Sequence, residues 1–151
     1  MKVITSIDEA EALVGQELGV SEWKQIDQKR IDGFAEVTED RQWIHVDVER
    51  ATTESPYGAP IAHGFLTLSL IPVMSQDNVV IEGKLGINYG LNKVRFLGAV
   101  TVGSRIRVRS FLLNAQKISD DTVNLTVRQT VEVEGRDKPA AVAEAIARWI
   151  F

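Results

Sequence analysis

With 151 residues, 44% of them apolar and 25% charged, the chain has the balance of an ordinary globular domain, long enough to bury roughly 68–70% of the surface its unfolded form exposes. A formal net charge of -4 argues against the concentrated basic face that nucleic acid demands. The absence of cysteine and a complement of only two histidines remove thiol nucleophiles, disulfides and histidine-rich metal centres, so no metal and no redox cofactor is expected.

No segment approaches the ~20 apolar residues of a membrane span. The N-terminus turns acidic at Asp8 before a signal peptide can form, which makes the cytoplasm the expected compartment. No repeat, low-complexity tract or linker interrupts residues 1–151, and one domain is expected.

In chain order, residues 6–14 suit a short helix with Ser6 as its N-cap and Glu9 at the spacing of a capping box. Residues 20–26, VSEWKQI, read as a first strand. Asp27 then caps a helix running to about Val37, in which Ile31, Phe34, Ala35 and Thr38 share one face. That helix delivers Asp40 at its end. The stretch from Ala51 to Pro60 reads as a long gap, a flap over whatever site lies beneath it.

Residues 64–74 are apolar on every side, the pattern of an enclosed central helix, with Pro72 expected to kink or end it. Strands follow. LGINYGLNKVRF over 85–96 supplies one; residues 104–112 and 122–134 alternate, and Ser119-Asp120-Asp121 forms the turn between them. Over 122–134, Val123, Leu125, Val127, Val131 and Val133 face one way, as in an antiparallel sheet with one solvated side. The last stretch, AAVAEAIARWIF, admits a helix by its alanine and glutamate content and a strand by its alternation. Strands wrapped round one buried helix make an α+β protein.

Two pieces of this pattern carry chemistry. TEDRQWIHVD places Asp40 and His45 five residues apart, a carboxylate and an imidazole able to hold one water between them and exchange its proton. Taken alone, that spacing is a weak motif, and its bland alternative is a cap and a packed core histidine. Ala62-His63-Gly64 then opens the central helix, aiming free backbone N–H groups, Gly64 among them, at a polarised oxygen. His63 either touches substrate or, as is more usual at the mouth of a buried helix, makes a local backbone hydrogen bond. Arg105, Arg107 and Arg109 share a strand face that reads as solvated rather than phosphate-binding, whereas Lys93 and Arg95 flank the presumed site strand. Trp23, Trp43 and Trp149 read as core or interface residues.

The segment FAEVTEDRQWIHVDVERA, residues 34–51, resembles the hydratase motif of the MaoC-like family, which contains the (R)-specific enoyl-CoA hydratases; Asp40, His45 and Ala51 match its spacing. IAHGFLTLSL resembles the start of that family's central helix, and KVRFLGAVTVGSRI its following strand and turn. The chain departs at Glu39, where glycine is common, at Gln42-Trp43, where asparagine-proline is common, and at Gly98-Ala99 in place of arginine-proline.

The resemblance implies a hot-dog fold, an antiparallel sheet wrapped around a long central helix, paired into a homodimer. It implies Asp40 and His45 as catalytic acid/base groups, the Gly64 N–H as oxyanion donor, and hydration of trans-2-enoyl-CoA to (R)-3-hydroxyacyl-CoA. Substrate contacts are expected from His63, Trp43, Lys93 and Arg95, with acyl-CoA as the only small-molecule partner. The rivals are a hot-dog thioesterase, a carrier-protein dehydratase and a silent acyl-CoA-binding subunit.

Overall fold

Alternating residues build the sheet. In β6 (Arg105–Lys117) and β7 (Thr122–Val133), Ile106, Val108, Leu112, Val123, Leu125, Val131 and Val133 are buried, and the arginines and glutamates between them are at least partly exposed, although Ser110, Asn124 and Gln129 are buried too. The pair runs antiparallel from Ile106 opposite Val133 to Lys117 opposite Val123. Between them the loop at 118–121 is closed by Asp121, whose carboxylate accepts from the hydroxyls of Ser119 and Thr122.

The ambiguous C-terminal stretch is a strand, β8 (Ala141–Ile150), lying between β7 and β5 (Leu85–Phe96). Alanine's helix preference is worth less than ~1 kcal/mol per residue, and it yields to two antiparallel ladders and a buried inner face at Ala141 and Ala143. The main sheet has the order β2-β6-β7-β8-β5, where β2 is Glu17–Val20; β3 (Lys24–Gln25) also pairs with β6.

The single first strand expected over 20–26 is instead divided. Ser21 leaves the ladder and locks onto Val108, its N–H donating to the Val108 carbonyl and its hydroxyl accepting from the Val108 N–H, each at 2.9 Å. A small parallel pair, β1 (Lys2–Ile4) with β4 (Val79–Ile81), has no counterpart in the sequence reading. Three-residue strands are too short for periodicity to reveal.

Helix α1 (Ile7–Ala12) begins as expected, with the Ser6 hydroxyl accepting from the Glu9 N–H. Helix α2 (Gln28–Thr38) is capped by Asp27, which accepts from the Arg30 N–H at 2.9 Å, and it buries Ile31 and Ala35. The expected gap at 51–60 is partly helical. After the single turn α3 (Trp43–Val46) comes α4 (Val48–Glu54), capped by Asp47 and anchored by buried Ala51. Only residues 55–60 remain as irregular connection.

The central helix α5 (Gly64–Ser75) lies across the concave sheet face, burying Leu66, Thr67, Leu70, Ile71 and Met74 against Ile106, Val108, Val131, Val133, Ala141 and Ala143. Burial of each large aliphatic contributes roughly 1.5–3 kcal/mol. Pro72 does not end the helix, which continues to Ser75; it withholds only the donor for the Leu68 carbonyl. Nor is α5 enclosed on every side, because Phe65 and Val73 point outward, 67% and 47% exposed. The architecture is the α+β hot-dog that the resemblance implies.

Candidate active site

Asp40 and His45 lie on the chain between α2 and α4. Helix α2 stops because Glu39 takes the left-handed conformation (φ 63°), a region that favours glycine and costs other residues ~1–2 kcal/mol. Asp40 follows that turn and stays exposed, its Oδ1 within 3.4 Å of the Gln42 N–H. One turn later His45 is buried, only 6% exposed.

Three contacts place the His45 ring. Its Nδ1 lies 2.7 Å from the Ile61 carbonyl oxygen; a carbonyl only accepts, so Nδ1 carries the proton and Nε2 keeps its lone pair. The Gln28 amide donates to the His45 main-chain oxygen at 2.8 Å. The His63 ring stacks on it, centroids 3.7 Å apart and planes inclined by 21°. Burial pushes the His45 imidazole below its usual pKa, and the neighbouring His63 adds to that shift; the Ile61 carbonyl and Asp40 pull the other way without reversing it. A neutral imidazole with a free Nε2 beside a carboxylate is a proton-accepting arrangement.

Asp40, His45 and His63 bring one ligand atom each within 4.8 Å of the others. A tetrahedral metal at 2.0–2.1 Å needs donors ~3.3 Å apart on converging lone pairs, whereas nearly parallel stacked rings send theirs along parallel planes. The cluster suits a proton relay better than a cation.

At the start of α5, the Thr67 N–H is the first to find an acceptor, the His63 carbonyl at 3.2 Å, and no side chain caps the helix. The N–H groups of Gly64, Phe65 and Leu66 have no partner within the chain. Gly64 borders a cavity of about 270 Å³ lined also by Ile61, Ala62, Thr67, Phe96 and Val100. A Cβ at Gly64 would meet the Phe96 ring at 3.0 Å, so glycine is what lets that ring pack against the helix start. The segment 61–64 thus joins cavity and dyad: Ile61 lines the one and holds the His45 ring of the other.

The remaining expected contacts divide. Lys93 and Arg95 line a second recess of about 220 Å³, which shares Leu97 with the first. Trp43 borders neither cavity; its ring lies under the Arg50 guanidinium at 4.2 Å, a surface cation–π pair. Asp40, His45 and His63 also border neither cavity, and His63 is 97% buried, since its relative exposure is 3%. Its hydrogen bond is to backbone but not local: Nε2 meets the Asp40 carbonyl oxygen, 23 residues away, at 2.9 Å. Tyr57, within the expected flap, does border the cavity.

Arg105, Arg107 and Arg109 are spent on carboxylates: Arg105 on Glu134, Arg107 and Arg109 on Glu132, Arg109 also on Glu17. Gln28 and Phe34, whose ring lies 4.9 Å from that of His63, shape the site without any signal in the sequence beyond their place on α2.

The MaoC-like domain model matches residues 9–135. A protein named 3-hydroxyacyl-thioester dehydratase Z, from Mycobacterium tuberculosis, is 48% identical over 151 residues, covering 99% of both chains. Among solved structures, a monoamine oxidase regulatory protein from Archaeoglobus superposes with a TM-score of 0.83 at 23% identity, over 99% of this chain and 96% of that one. An R-hydratase from Pseudomonas aeruginosa superposes with a TM-score of 0.68 at 26% identity, over 89% of this chain and 79% of that one. With a model spanning most of its length and a relative alike from end to end, the chain belongs to the MaoC-like dehydratase family and has its hot-dog fold.

Proposed function

We propose that the chain is an (R)-specific enoyl-CoA hydratase, adding water across trans-2-enoyl-CoA to give (R)-3-hydroxyacyl-CoA, with residues 1–151 acting as one domain. The observation that carries it is the neutral His45 with a free Nε2 beside the Asp40 carboxylate, joined through residues 61–64 to unpartnered helix N–H groups at a cavity wall. On this assignment Asp40 and His45 hold one water. Its oxygen bonds to C3 as the dyad takes a proton, and C2 receives a proton in return.

The Gly64 N–H donates to the thioester oxygen, where enolate charge develops. Positioned acid/base groups contribute ~10²–10⁴-fold and one oxyanion donor ~10²–10³-fold, so neither part suffices alone. The relatives named for dehydration of 3-hydroxyacyl thioesters and for R-hydration support the reaction type. Lys93 and Arg95, without carboxylate partners in ion pairs of their own, are assigned to the phosphates of the thioester's carrier.

We also assign the open side of the molecule to a second copy of the chain. Phe65 and Val73 of α5 and Leu85, Ile87 and Leu91 of the edge strand β5 form an exposed apolar face, larger than single scattered residues would explain.

The test follows the conjugated enoyl absorbance with trans-2-enoyl-CoA of short, medium and long chains, comparing the wild type with Asp40→Asn and His45→Gln. Hydration that both folded variants lose supports the assignment. Release of free thiol from saturated acyl-CoA would replace it with a thioesterase, and tight acyl-CoA binding without turnover would replace it with a silent subunit. Faster turnover on a carrier-protein thioester than on acyl-CoA would move the substrate to the protein-bound arm.

A further inference from the structure

Of the two roles open to His63, a substrate contact or a backbone hydrogen bond, the structure shows the second. His63 is buried against Asp40 and His45 and, like them, borders neither cavity. From there it makes one contact with each member of the pair. Its Nε2 donates to the Asp40 main-chain oxygen at 2.9 Å, and its ring lies face to face with that of His45 at 3.7 Å. Phe34 closes the far side at 4.9 Å.

Asp40 has few other restraints. It follows a left-handed Glu39, its carboxylate is exposed, and its remaining bonds, Oδ1 to the Gln42 N–H at 3.4 Å and its own N–H to the Thr38 hydroxyl at 3.5 Å, are long. His45, in contrast, is held by the Ile61 carbonyl and by Gln28. The less restrained member of the pair is therefore Asp40, and the bond from His63 to its main-chain oxygen is the shortest that holds it. His63 is also the residue before Gly64, so one side chain couples the oxyanion donor's backbone to the acid/base pair.

We propose that His63 is a positioning residue, a buried brace whose Nε2–H fixes the Asp40 backbone and so sets the separation of the Asp40 carboxylate from His45. It acts on turnover through Asp40 without contacting substrate. The proposal rests on the assignment of Asp40 and His45 as the reacting pair. Its second ring nitrogen, Nδ1, is buried without a partner, so the ring serves through a single donor and its stacking face. Those two contributions separate by substitution. Glutamine carries an amide N–H close to the place of imidazole Nε2 but no ring; phenylalanine keeps the ring and loses the donor.

The experiment measures kcat and KM on trans-2-enoyl-CoA for wild type, His63→Phe, His63→Gln and Asp40→Asn, with circular dichroism and melting curves for each. A misplacement of ~1 Å in a reacting group costs about 10²-fold. The expected result is a kcat loss of that order for His63→Phe with KM within about threefold, and a loss of less than about tenfold for His63→Gln, whose donor restores the brace. Equal losses in the two folded variants, or no loss in His63→Phe, would overturn the brace while Asp40→Asn remained inactive. Wild-type turnover by Asp40→Asn would instead overturn the pair itself.

Should His63→Phe not fold, nuclear magnetic resonance on the wild type decides: a slowly exchanging His63 Nε2–H is expected, and fast exchange with water would overturn the bond.

Discussion

The two halves of the sheet differ in what they cover. Around β6 and β7 the inner face is sealed, with Ile106, Val108, Leu112, Val123 and Val131 at 0% exposure. The outer face of the same strands is laced by Arg105, Arg107 and Arg109 to Glu134, Glu132 and Glu17. Twelve-residue β5, at one edge, buries no residue fully. It exposes Leu85, Ile87, Tyr89, Leu91 and Phe96 between 44% and 55%, and its two cations, Lys93 and Arg95, have no carboxylate partner in an ion pair. A long apolar edge strand left open is an aggregation hazard. The contrast teaches that burial is concentrated on the closed side, while the side next to the cavity leaves its apolar surface uncovered.

The sharpest way to break this contrast is to truncate equivalent aliphatic residues on the two sides. Leu112→Ala should cost about 2–5 kcal/mol in urea denaturation, the penalty for a cavity in a sealed core. Ile87→Ala should cost less than ~0.5 kcal/mol in dilute protein, with a loss that grows as the concentration rises if a second chain covers β5. Equal losses at all concentrations would erase the distinction.

Gly86→Ala probes where the sides meet. The Trp149 ring lies on Gly86, and an added Cβ would sit 2.6 Å from it, so β5 or the ring must shift at a cost of ~1–3 kcal/mol, read as a lowered Tm. An unchanged Tm would mean that β5 is looser than its ladder with β8 indicates.

The pH dependence sharpens the comparison at the site itself. Because burial, reinforced by His63, holds the folded His45 below its ordinary pKa of ~6.5, the acid limb of kcat/KM should fall below pH ~6.5. The linked stability has the same sign: between the folded and unfolded pKa values the unfolded chain binds the extra proton, so His45's contribution is complete above ~6.5 and is lost as pH falls through that window. An acid limb above ~7 would contradict a desolvated His45.

The smallest effect belongs to Glu132→Gln. Burial pushes the Glu132 carboxyl up, but hydrogen bonds from Arg109 and Arg107 hold it below the usual value. The three side chains are 24–38% exposed, and solvent screening limits the loss to about 0–1 kcal/mol, shrinking further at high salt. A loss above 2 kcal/mol would mean that the closed side depends on its ion pairs rather than its core.

Much of the architecture is legible in the chain because its signals are local. Alternation marks β6 and β7, Ser6 and Asp27 announce helix starts, and the apolar run after Gly64 marks the central helix. Where two preferences balance, locality fails. AAVAEAIARWIF becomes a strand only because β7 and β5 flank it, and one face of α5 stays open although its composition is apolar all round.

The site divides the same way. Asp40 and His45 lie five residues apart, and the resemblance of their segment to a hydratase motif identifies them together. The tautomer of His45, the withdrawal of Trp43 from the cavity and the bond of His63 to a distant main-chain oxygen come from contacts spanning 7 to 23 residues, with Arg50, Ile61 and Asp40. Sequence by itself determined which residue types stand within one turn of each other, because helix and strand geometry repeat over a few residues. Which nitrogen of His45 keeps its lone pair was decided only by tertiary structure, since a ring's orientation depends on the carbonyl that the rest of the fold brings against it.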